Sequence, residues 1–272
     1  MTTSKGSKPL SSHYQDSGPQ GPAVLLIHGV GMDQRVWLPQ WQALSADYRL
    51  ITYDTLGHGL SPLPPDPASL SDYVAQIDDL LDHLGITATH VVGHSMGALI
   101  AVEFGLCRPH RCLSITALNA VFKRSETQRQ AVQARARSLQ EQGLQANIRS
   151  TLERWYGSPT PQSLQEAAQL SAQILAQVDP VGYARAYRLF AHSDSAHADR
   201  LAKLAMPALF MTGSLDQNSS PAMTEAMAAL APQGQSYILE HAHHMMPLTH
   251  SEQVNRHIAD FLSTSQATLP RP

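Results

Sequence analysis

Short apolar runs alternate along the chain with longer segments whose apolar residues recur at helical spacing. Ala23–Ile27, Arg49–Tyr53 and Leu113–Leu118 are too short for helices and rich in branched residues, so they predict strands that are covered on both faces. From Tyr73 to Leu84 the apolar residues lie three and four positions apart, and Gly85 follows as a C-cap, which predicts a helix. This alternation favours an α/β fold: a mostly parallel sheet with right-handed crossovers and helices on both faces.

The alternation stops in the middle of the chain and resumes later. Strands are predicted again at Pro207–Thr212 and Ser236–Leu239, and the final amphipathic helix is predicted around Val254 to Leu262, with Ser263–Pro272 as a frayed tail. We therefore predict a core domain of residues 1–120 and 198–272. Residues 121–197 form an inserted helical cap, a lid or binding wall at the functional edge of the sheet. Its four predicted helices are Ser125–Gln142, Leu144–Trp155, Leu164–Val178 and Val181–Phe190.

Composition narrows the class of protein. The 272 residues are 43% hydrophobic and 15% charged, which suits one large core. A net charge of −3 without basic clusters argues against a nucleic acid or an anionic membrane as partner, so we expect a small-molecule ligand. No apolar run reaches the length of a signal peptide or a membrane span, which predicts a cytoplasmic protein. We expect a monomer or a homodimer. Cys107 and Cys112 lack the C-x-x-C spacing and are expected to be buried apolar residues.

A pentapeptide joins a predicted strand to a predicted helix. Gly93-His-Ser-Met-Gly97 places Ser95 between two glycines, where strand, helix and loop backbones come too close for a β-carbon. Such a turn exposes the serine hydroxyl and is typical of a nucleophile elbow. The alternative is an ordinary serine in a glycine-rich loop.

Two further glycine-rich loops follow predicted strands. His28-Gly-Val-Gly31 comes after the first buried strand, and its glycines can turn the Val30 N–H inward as an oxyanion donor. A plain strand-to-helix turn is the alternative. Asp54 and His58 lie in the loop after the second buried strand, where we favour a structural role, because turns use aspartate for local backbone hydrogen bonds.

A serine nucleophile needs a base within hydrogen-bond reach and a carboxylate to orient that base. Asp216 and a histidine cluster, His241, His243 and His244, follow two late predicted strands. The order serine, aspartate, histidine is the one expected for this topology. A metal site formed by the histidine cluster is the alternative, but no ligand carboxylates are evident nearby, so no metal is predicted.

These motifs together resemble those of the α/β-hydrolase superfamily, from about residue 12 to residue 263. The resemblance implies an eight-stranded, mostly parallel sheet, an oxyanion hole formed by the N–H groups of Val30 and Met96, and no cofactor. It also implies Ser95, Asp216 and His244 as the catalytic triad. The matching segments occur in the family's order: Val24-Leu-Leu-Ile-His-Gly-Val-Gly31, Tyr53-Asp-Thr-Leu-Gly-His-Gly-Leu-Ser61, Gly93–Gly97, Thr212-Gly-Ser-Leu-Asp216 and His244-Met-Met-Pro-Leu248.

Two positions depart from the family pattern. His243 occupies the place where the family usually has glycine before the catalytic histidine, which leaves the identity of that histidine to be checked. Asn119 occupies the family's alternative acid position, which leaves Asp216 as the acid.

Within the superfamily the chain is most similar to a small bacterial branch that holds enol-lactonases and meta-cleavage-product hydrolases. This similarity implies hydrolysis of a small ester, lactone or amide through an acyl-enzyme, in bacterial breakdown of aromatic or heterocyclic compounds. Two alternatives stay open: hydrolysis of a carbon–carbon bond in a vinylogous diketone, and a non-catalytic ligand receptor on the hydrolase scaffold.

Arginines in and near the predicted cap suggest that the substrate carries a carboxylate. A guanidinium pairs bidentately with a carboxylate, so an arginine that faces the pocket would select acidic substrates. The alternative is that each is a solvent-facing helix charge. The proposed substrate-binding residues are Arg35, Arg124, Arg185, Arg188 and Tyr187.

Overall fold

A seven-stranded sheet forms the centre of the molecule. The computed structural model describes residues 10–144 and 147–267, and over these residues the strand order is β1-β3-β2-β4-β5-β6-β7. β1 runs antiparallel to β3 and every other neighbouring pair is parallel. The strands are β1 (Tyr14–Asp16), β2 (Ala23–Ile27), β3 (Arg49–Tyr53), β4 (Thr89–His94), β5 (Cys112–Leu118), β6 (Ala208–Gly213) and β7 (Gly234–Leu239).

The prediction of eight strands is wrong by one in the described part of the chain. Between Leu10 and β2 the described residues contribute one strand, β1, whose three residues pair with β3. A turn that follows β1, in which the Asp16 carboxylate accepts the Gly18 N–H at 3.0 Å, leads the chain directly into β2.

Ten α-helices surround this sheet in the described residues. Their bounds are α1 (Leu38–Leu44), α2 (Leu70–His83), α3 (Met96–Cys107), α4 (Glu126–Gln142), α5 (Ile148–Tyr156), α6 (Gln165–Gln177), α7 (Pro180–His192), α8 (Pro221–Leu230), α9 (Met246–Thr249) and α10 (Ser251–Ala267). Within residues 10–144 and 147–267 no helix is both long and apolar enough to cross a membrane.

The helix between β4 and β5 shows how the core forms. α3 is apolar on almost every side, because it packs on β4 and β5 with one face and against α2 with another. The residues from Met96 to Gly105 are all buried. α2 is amphipathic instead, and it begins with a capping box in which Ser69 and Asp72 satisfy each other's backbone N–H groups.

Four helices, α4 to α7, lie between β5 and β6. They pack in pairs, α4 with α7 and α5 with α6. The second begins at Ile148, later than the predicted Leu144, and residues 145 and 146 of that prediction lie outside the described chain. α7 approaches the core so closely that Gly182 and Gly57 meet backbone to backbone. The division into core and cap at residues 121 and 197 stays a prediction.

The final helix runs further than the sequence predicts. Residues 263–267, expected to fray, continue α10, and Phe261 and Leu262 are buried against the core. The helix is thus anchored by packing near its end, where the sequence offers only small and polar residues. The rest of the predicted tail, residues 268–272, lies outside the described chain.

A buried charge cluster joins α3 to the segment before β6. The Glu103 carboxylate accepts hydrogen bonds from His197 at 3.0 Å and from Arg200 at 2.8 Å. The hydrogen bond from His197, with those from Cys107 and Arg200, lowers the pKa of Glu103 to about 2 against the effect of burial. Cys107 and Cys112 are free thiols, and Cys112 is buried as predicted, whereas Cys107 is half-buried.

Glu103→Gln is expected to destabilise the protein at neutral pH by about 2 kcal/mol, because hydrogen bonds to an ionised group are lost. Since folding lowers this pKa, the stabilisation is complete above about pH 4.5 and is lost as the pH falls toward 2. Urea unfolding at pH 7 and pH 3 should therefore show a smaller pH effect in the variant. Glu252→Gln, at an exposed ion pair with Arg256, is the matched control. Equal losses in both variants would contradict this prediction.

Candidate active site

Ser95 stands on a strained turn between β4 and α3. Its backbone angles are φ 56° and ψ −113°, a region that a residue with a β-carbon adopts only under strong constraint. The constraint comes from both sides: the Ser95 N–H donates to Leu118 O at 2.8 Å, and a β-carbon on Gly93 or Gly97 would collide with neighbouring backbone. The sequence folds this way because glycine alone fits at those two positions.

The structure brings Ser95, His244 and Asp216 together in one buried chain of hydrogen bonds. Ser95 Oγ lies 3.1 Å from His244 Nε2, and His244 Nδ1 lies 2.8 Å from Asp216 Oδ2. The three residues come from the end of β4, the loop after β7 and the loop after β6. These loops share the carboxyl edge of the parallel sheet, where residues distant in sequence meet. The three side chains can act as nucleophile, base and orienting acid.

Four donors besides His244 surround the Asp216 carboxylate. Asn119 Nδ2 donates to Oδ2 at 2.8 Å, and the backbone N–H groups of Asn218 and Ser219 donate to Oδ1 at 2.8 and 3.2 Å. Thr212 Oγ1 lies 3.4 Å from Oδ2. Burial raises the pKa of Asp216. The charge and the hydrogen bond of His244, together with the hydrogen bonds from the Asn119 side chain and the Asn218 backbone, outweigh burial and hold this pKa below its usual value. The carboxylate therefore stays ionised and orients the imidazole.

The other histidines of the cluster lie elsewhere. His243 packs against Gly157 of the cap, where a β-carbon on that glycine would be 3.1 Å from the ring, and its buried Nδ1 has no partner in the described chain. His241 donates its backbone N–H to Ser214 Oγ. Among the described residues no three His, Cys, Asp or Glu side chains are arranged to hold a metal ion.

The loop that follows β2 faces the serine. A β-carbon on Gly29 would lie 3.1 Å from Ser95 Cβ, so the loop backbone passes directly beside Ser95. The Gly31 N–H donates to His58 Nε2 at 2.9 Å, and the Thr55 N–H donates to His28 Nε2 at 2.9 Å. Burial lowers the pKa of His58 to about 3 and also lowers that of His28, so both rings are neutral and can accept these bonds.

Two backbone donors beside Ser95 lack a protein acceptor. Neither the Val30 N–H nor the Met96 N–H makes a hydrogen bond to another residue of the described chain. Met96 directly follows Ser95, and Val30 lies in the neighbouring loop. Both groups are thus available to a ligand oxygen. Asp54, as predicted for a structural residue, accepts the backbone N–H groups of Gln34 and Leu60.

His94 contributes to the site without any signal in the sequence pattern. Its Nε2–H donates to the backbone carbonyl of His244 at 2.9 Å, and its ring lies 5.1 Å from the His244 ring. Burial, with the nearby His244, lowers the pKa of His94 to about 3, so the ring stays neutral. The variable position of the elbow therefore helps to fix the loop that carries His244.

Cap side chains cover the site. The Trp155 ring of α5 stacks on His244 with a centroid distance of 6.0 Å, and a β-carbon on Gly31 would lie 2.6 Å from the Tyr183 ring of α7. Ser95 is 4% exposed and His244 is 2% exposed as a result. The sequence predicts a lid here, but nothing in it singles out Trp155.

The predicted substrate-binding arginines separate into three places. Arg35 is bound by Asp33, with a 2.7 Å contact between Nη2 and Oδ2, and reaches Gln177 of the cap. Arg185 and Arg188 both pair with Asp66 in the proline-rich loop. Arg124 alone of the four is buried, and together with Asn218 it lines a small cavity. Tyr187 is buried beside this cavity and accepts a hydrogen bond from Arg135.

Residues 22–251 match the sequence profile of the family described as alpha/beta hydrolase fold. The chain belongs to this family. It is 35% identical over 255 residues to the (E)-2-((N-methylformamido)methylene)succinate hydrolase of Acinetobacter baylyi, which covers 94% of this chain and 95% of that protein. It is also 35% identical over 217 residues to 3-oxoadipate enol-lactonase 1 of the same organism, with 79% of each chain covered.

A solved structure gives the same fold. The enol-lactonase of Burkholderia xenovorans superposes with a TM-score of 0.85 over 93% of this chain and 96% of that chain, at 24% identity. The resemblance to the enol-lactonase branch drawn from the motifs is confirmed by these relatives.

Proposed function

We propose that the protein is a serine hydrolase that cleaves a small carboxylated ester, lactone or amide through an acyl-enzyme intermediate. The observation that carries the proposal is the buried chain from Ser95 Oγ to His244 Nε2 at 3.1 Å and from His244 Nδ1 to Asp216 at 2.8 Å. The relatives named as a succinate-derivative hydrolase and an enol-lactonase support a hydrolase of a small substrate. Its setting would be bacterial catabolism of aromatic or heterocyclic compounds.

In the proposed reaction His244 removes the Ser95 proton as the hydroxyl oxygen attacks the substrate carbonyl carbon. Asp216 keeps the imidazole in the tautomer that accepts at Nε2 and stabilises the imidazolium. The N–H groups of Val30 and Met96 bind the oxyanion, and each such donor contributes about 3 kcal/mol. His244 then protonates the leaving group. Water, deprotonated by His244, attacks the acyl-enzyme and releases Ser95.

A negatively charged substrate is supported by two observations. The names of both relatives describe substrates that carry carboxylates, a succinate derivative and an oxoadipate lactone. In this chain, three guanidinium groups of the cap region line one cavity beside the loop that carries Asp216. Arginine is the side chain best suited to paired hydrogen bonds with a carboxylate.

An activity panel tests the reaction class. It compares p-nitrophenyl esters, lactones, acidic enamides and a vinylogous diketone with the wild type and Ser95→Ala. Turnover of an ester, lactone or enamide by the wild type supports the proposal, whereas turnover of the diketone alone would favour carbon–carbon hydrolysis. Labelling of Ser95 by a fluorophosphonate addresses the receptor alternative. If the chain neither turns over a substrate nor reacts with the probe, this result would contradict the proposal that the protein is an enzyme.

We expect the enzyme to prefer a carboxylated substrate over its methyl ester by at least about tenfold in kcat/KM, because one charged pair contributes at least about 1.4 kcal/mol in a desolvated site. The measurement uses 4-nitrophenyl hydrogen adipate and 4-nitrophenyl methyl adipate, which differ only in that charge. A ratio near one would show that the site does not read the carboxylate.

A further inference from the structure

Three arginines of the cap region converge on one cavity. Arg124, Arg135 and Arg154 line a space of about 180 Å³ together with Gln128, Ala131, Val132, Phe190, Gln217 and Asn218. Arg124 precedes α4, whereas the other two belong to α4 and α5. Segments separated in the sequence thus place three positive charges around one volume.

The negative charge near this cavity falls short of the positive charge. Asp194 accepts the Arg124 backbone N–H at 2.8 Å and lies 3.6 Å from its guanidinium, which also stacks on Phe190 at 4.6 Å. Among the described residues, Arg135 donates to the Tyr187 hydroxyl, and Arg154 donates to Ser150 O and Thr151 Oγ1. No carboxylate of the described residues pairs with Arg135 or Arg154.

Most other arginines of the described chain have a carboxylate partner. Arg137, which has none, is exposed, so water solvates its charge. Arg135 and Arg154 are half-buried, and that solvation is reduced. Burial lowers the pKa of Arg124 and of Arg154, and the charge of Arg135 lowers both further. Arg135 and Arg154, two guanidinium groups without a carboxylate partner in the described chain, lie beside Arg124 at reduced hydration, and an anion bound between them would stabilise their charges.

The cavity adjoins the catalytic loop. Gln217 and Asn218, which line it, directly follow Asp216, and the Asn218 N–H donates to the Asp216 carboxylate at 2.8 Å. Arg154 also directly precedes Trp155, whose ring stacks on His244. An anion bound by the arginines would therefore lie at the acid side of the triad, under the cap.

We propose that Arg124, Arg135 and Arg154 form a carboxylate-binding site that selects dicarboxylate-type substrates, with Arg135 and Arg154 supplying the charge recognition. This inference rests on the proposed function for the identity of its ligand as substrate. Arg124 is largely satisfied by Asp194 and Phe190, and it forms the floor of the site. Arg135 and Arg154 have no carboxylate partner in the described chain, and the guanidinium N–H groups that they do not already use can donate to one ligand carboxylate.

Calorimetric titration of succinate into the Ser95→Ala chain tests the site without any turnover. We expect succinate to bind and neutral succinamide not to bind, because the amide lacks charge. Arg135→Gln and Arg154→Gln, each added to Ser95→Ala, should raise the dissociation constant for succinate at least tenfold. Arg135→Lys and Arg154→Lys should raise this dissociation constant less than the Gln variants do, because they keep the positive charge and lose only the paired N–H donors of the guanidinium.

Two matched controls come from the same helices. Arg137→Gln on α4 and Arg149→Gln on α5 remove exposed charges and should leave succinate affinity within about twofold. Thermal unfolding of each variant separates a folding defect from a binding defect, and the Lys variants keep the test valid if a Gln variant unfolds. Equal weakening by the control substitutions, or unchanged affinity in Arg135→Gln and Arg154→Gln, would overturn the proposal.

The binding result and the activity panel fail independently. If the protein hydrolyses a carboxylated ester but the arginine substitutions leave succinate affinity unchanged, the hydrolase proposal stands and the carboxylate-binding site is excluded. Arginine-dependent succinate binding in a chain that hydrolyses nothing would do the reverse.

Discussion

Ser95→Ala is expected to lower turnover by about 10⁴-fold or more while leaving the fold intact. The Ser95 hydroxyl contacts His244 and begins the proposed covalent pathway, so its removal leaves no nucleophile. It adds little to packing, because the turn is held by backbone contacts of Ser95, Gly93 and Gly97. Steady-state kinetics on the best substrate of the panel measures the loss.

Ser263→Ala, at an exposed serine of α10, is the control and should keep full activity. Thermal unfolding of both variants should match that of the wild type within a few degrees. More than a few per cent of residual turnover in purified Ser95→Ala would exclude Ser95 as the nucleophile.

His244→Ala should match Ser95→Ala in severity, and the double variant should be no worse than either, because members of one catalytic unit are not additive. The reason is geometric: His244 alone of the cluster contacts both Ser95 and Asp216. The same kinetic assay measures all three variants.

His243→Ala is the natural control, since His243 is the adjacent residue and packs on Gly157 rather than on the triad. We expect it to change kcat by no more than about threefold. A greater loss in His243→Ala than in His244→Ala would show that the register of the base is wrong by one residue.

Much of the core could be predicted because its signals are local. β2 and β3 follow the predicted bounds, since a run of branched apolar residues between turn residues has no other stable place than a covered sheet. The turn at Ser95 could likewise be predicted, because only glycine fits on both sides of it.

Features that depend on distant contacts could not be read in this way. The described N-terminal residues from Leu10 onward form one short edge strand, β1, which is defined by its pairing with β3 and not by a local pattern. α10 continues to Ala267 because Phe261 and Leu262 pack on the core, whereas the residues after them look like a frayed end. The role of His94 depends on the carbonyl of His244, 150 residues away.

The arginines show the division most clearly. The sequence by itself determined that the cap region is rich in arginine and that a carboxylate ligand suits such residues. Only the tertiary structure decided which guanidinium groups are neutralised: Asp66 pairs with Arg185 and Arg188, whereas Arg135 and Arg154 have no carboxylate in the described chain. The physical reason is that the state of a charge depends on its neighbours in space, and helix packing brings those neighbours from segments that no local pattern connects.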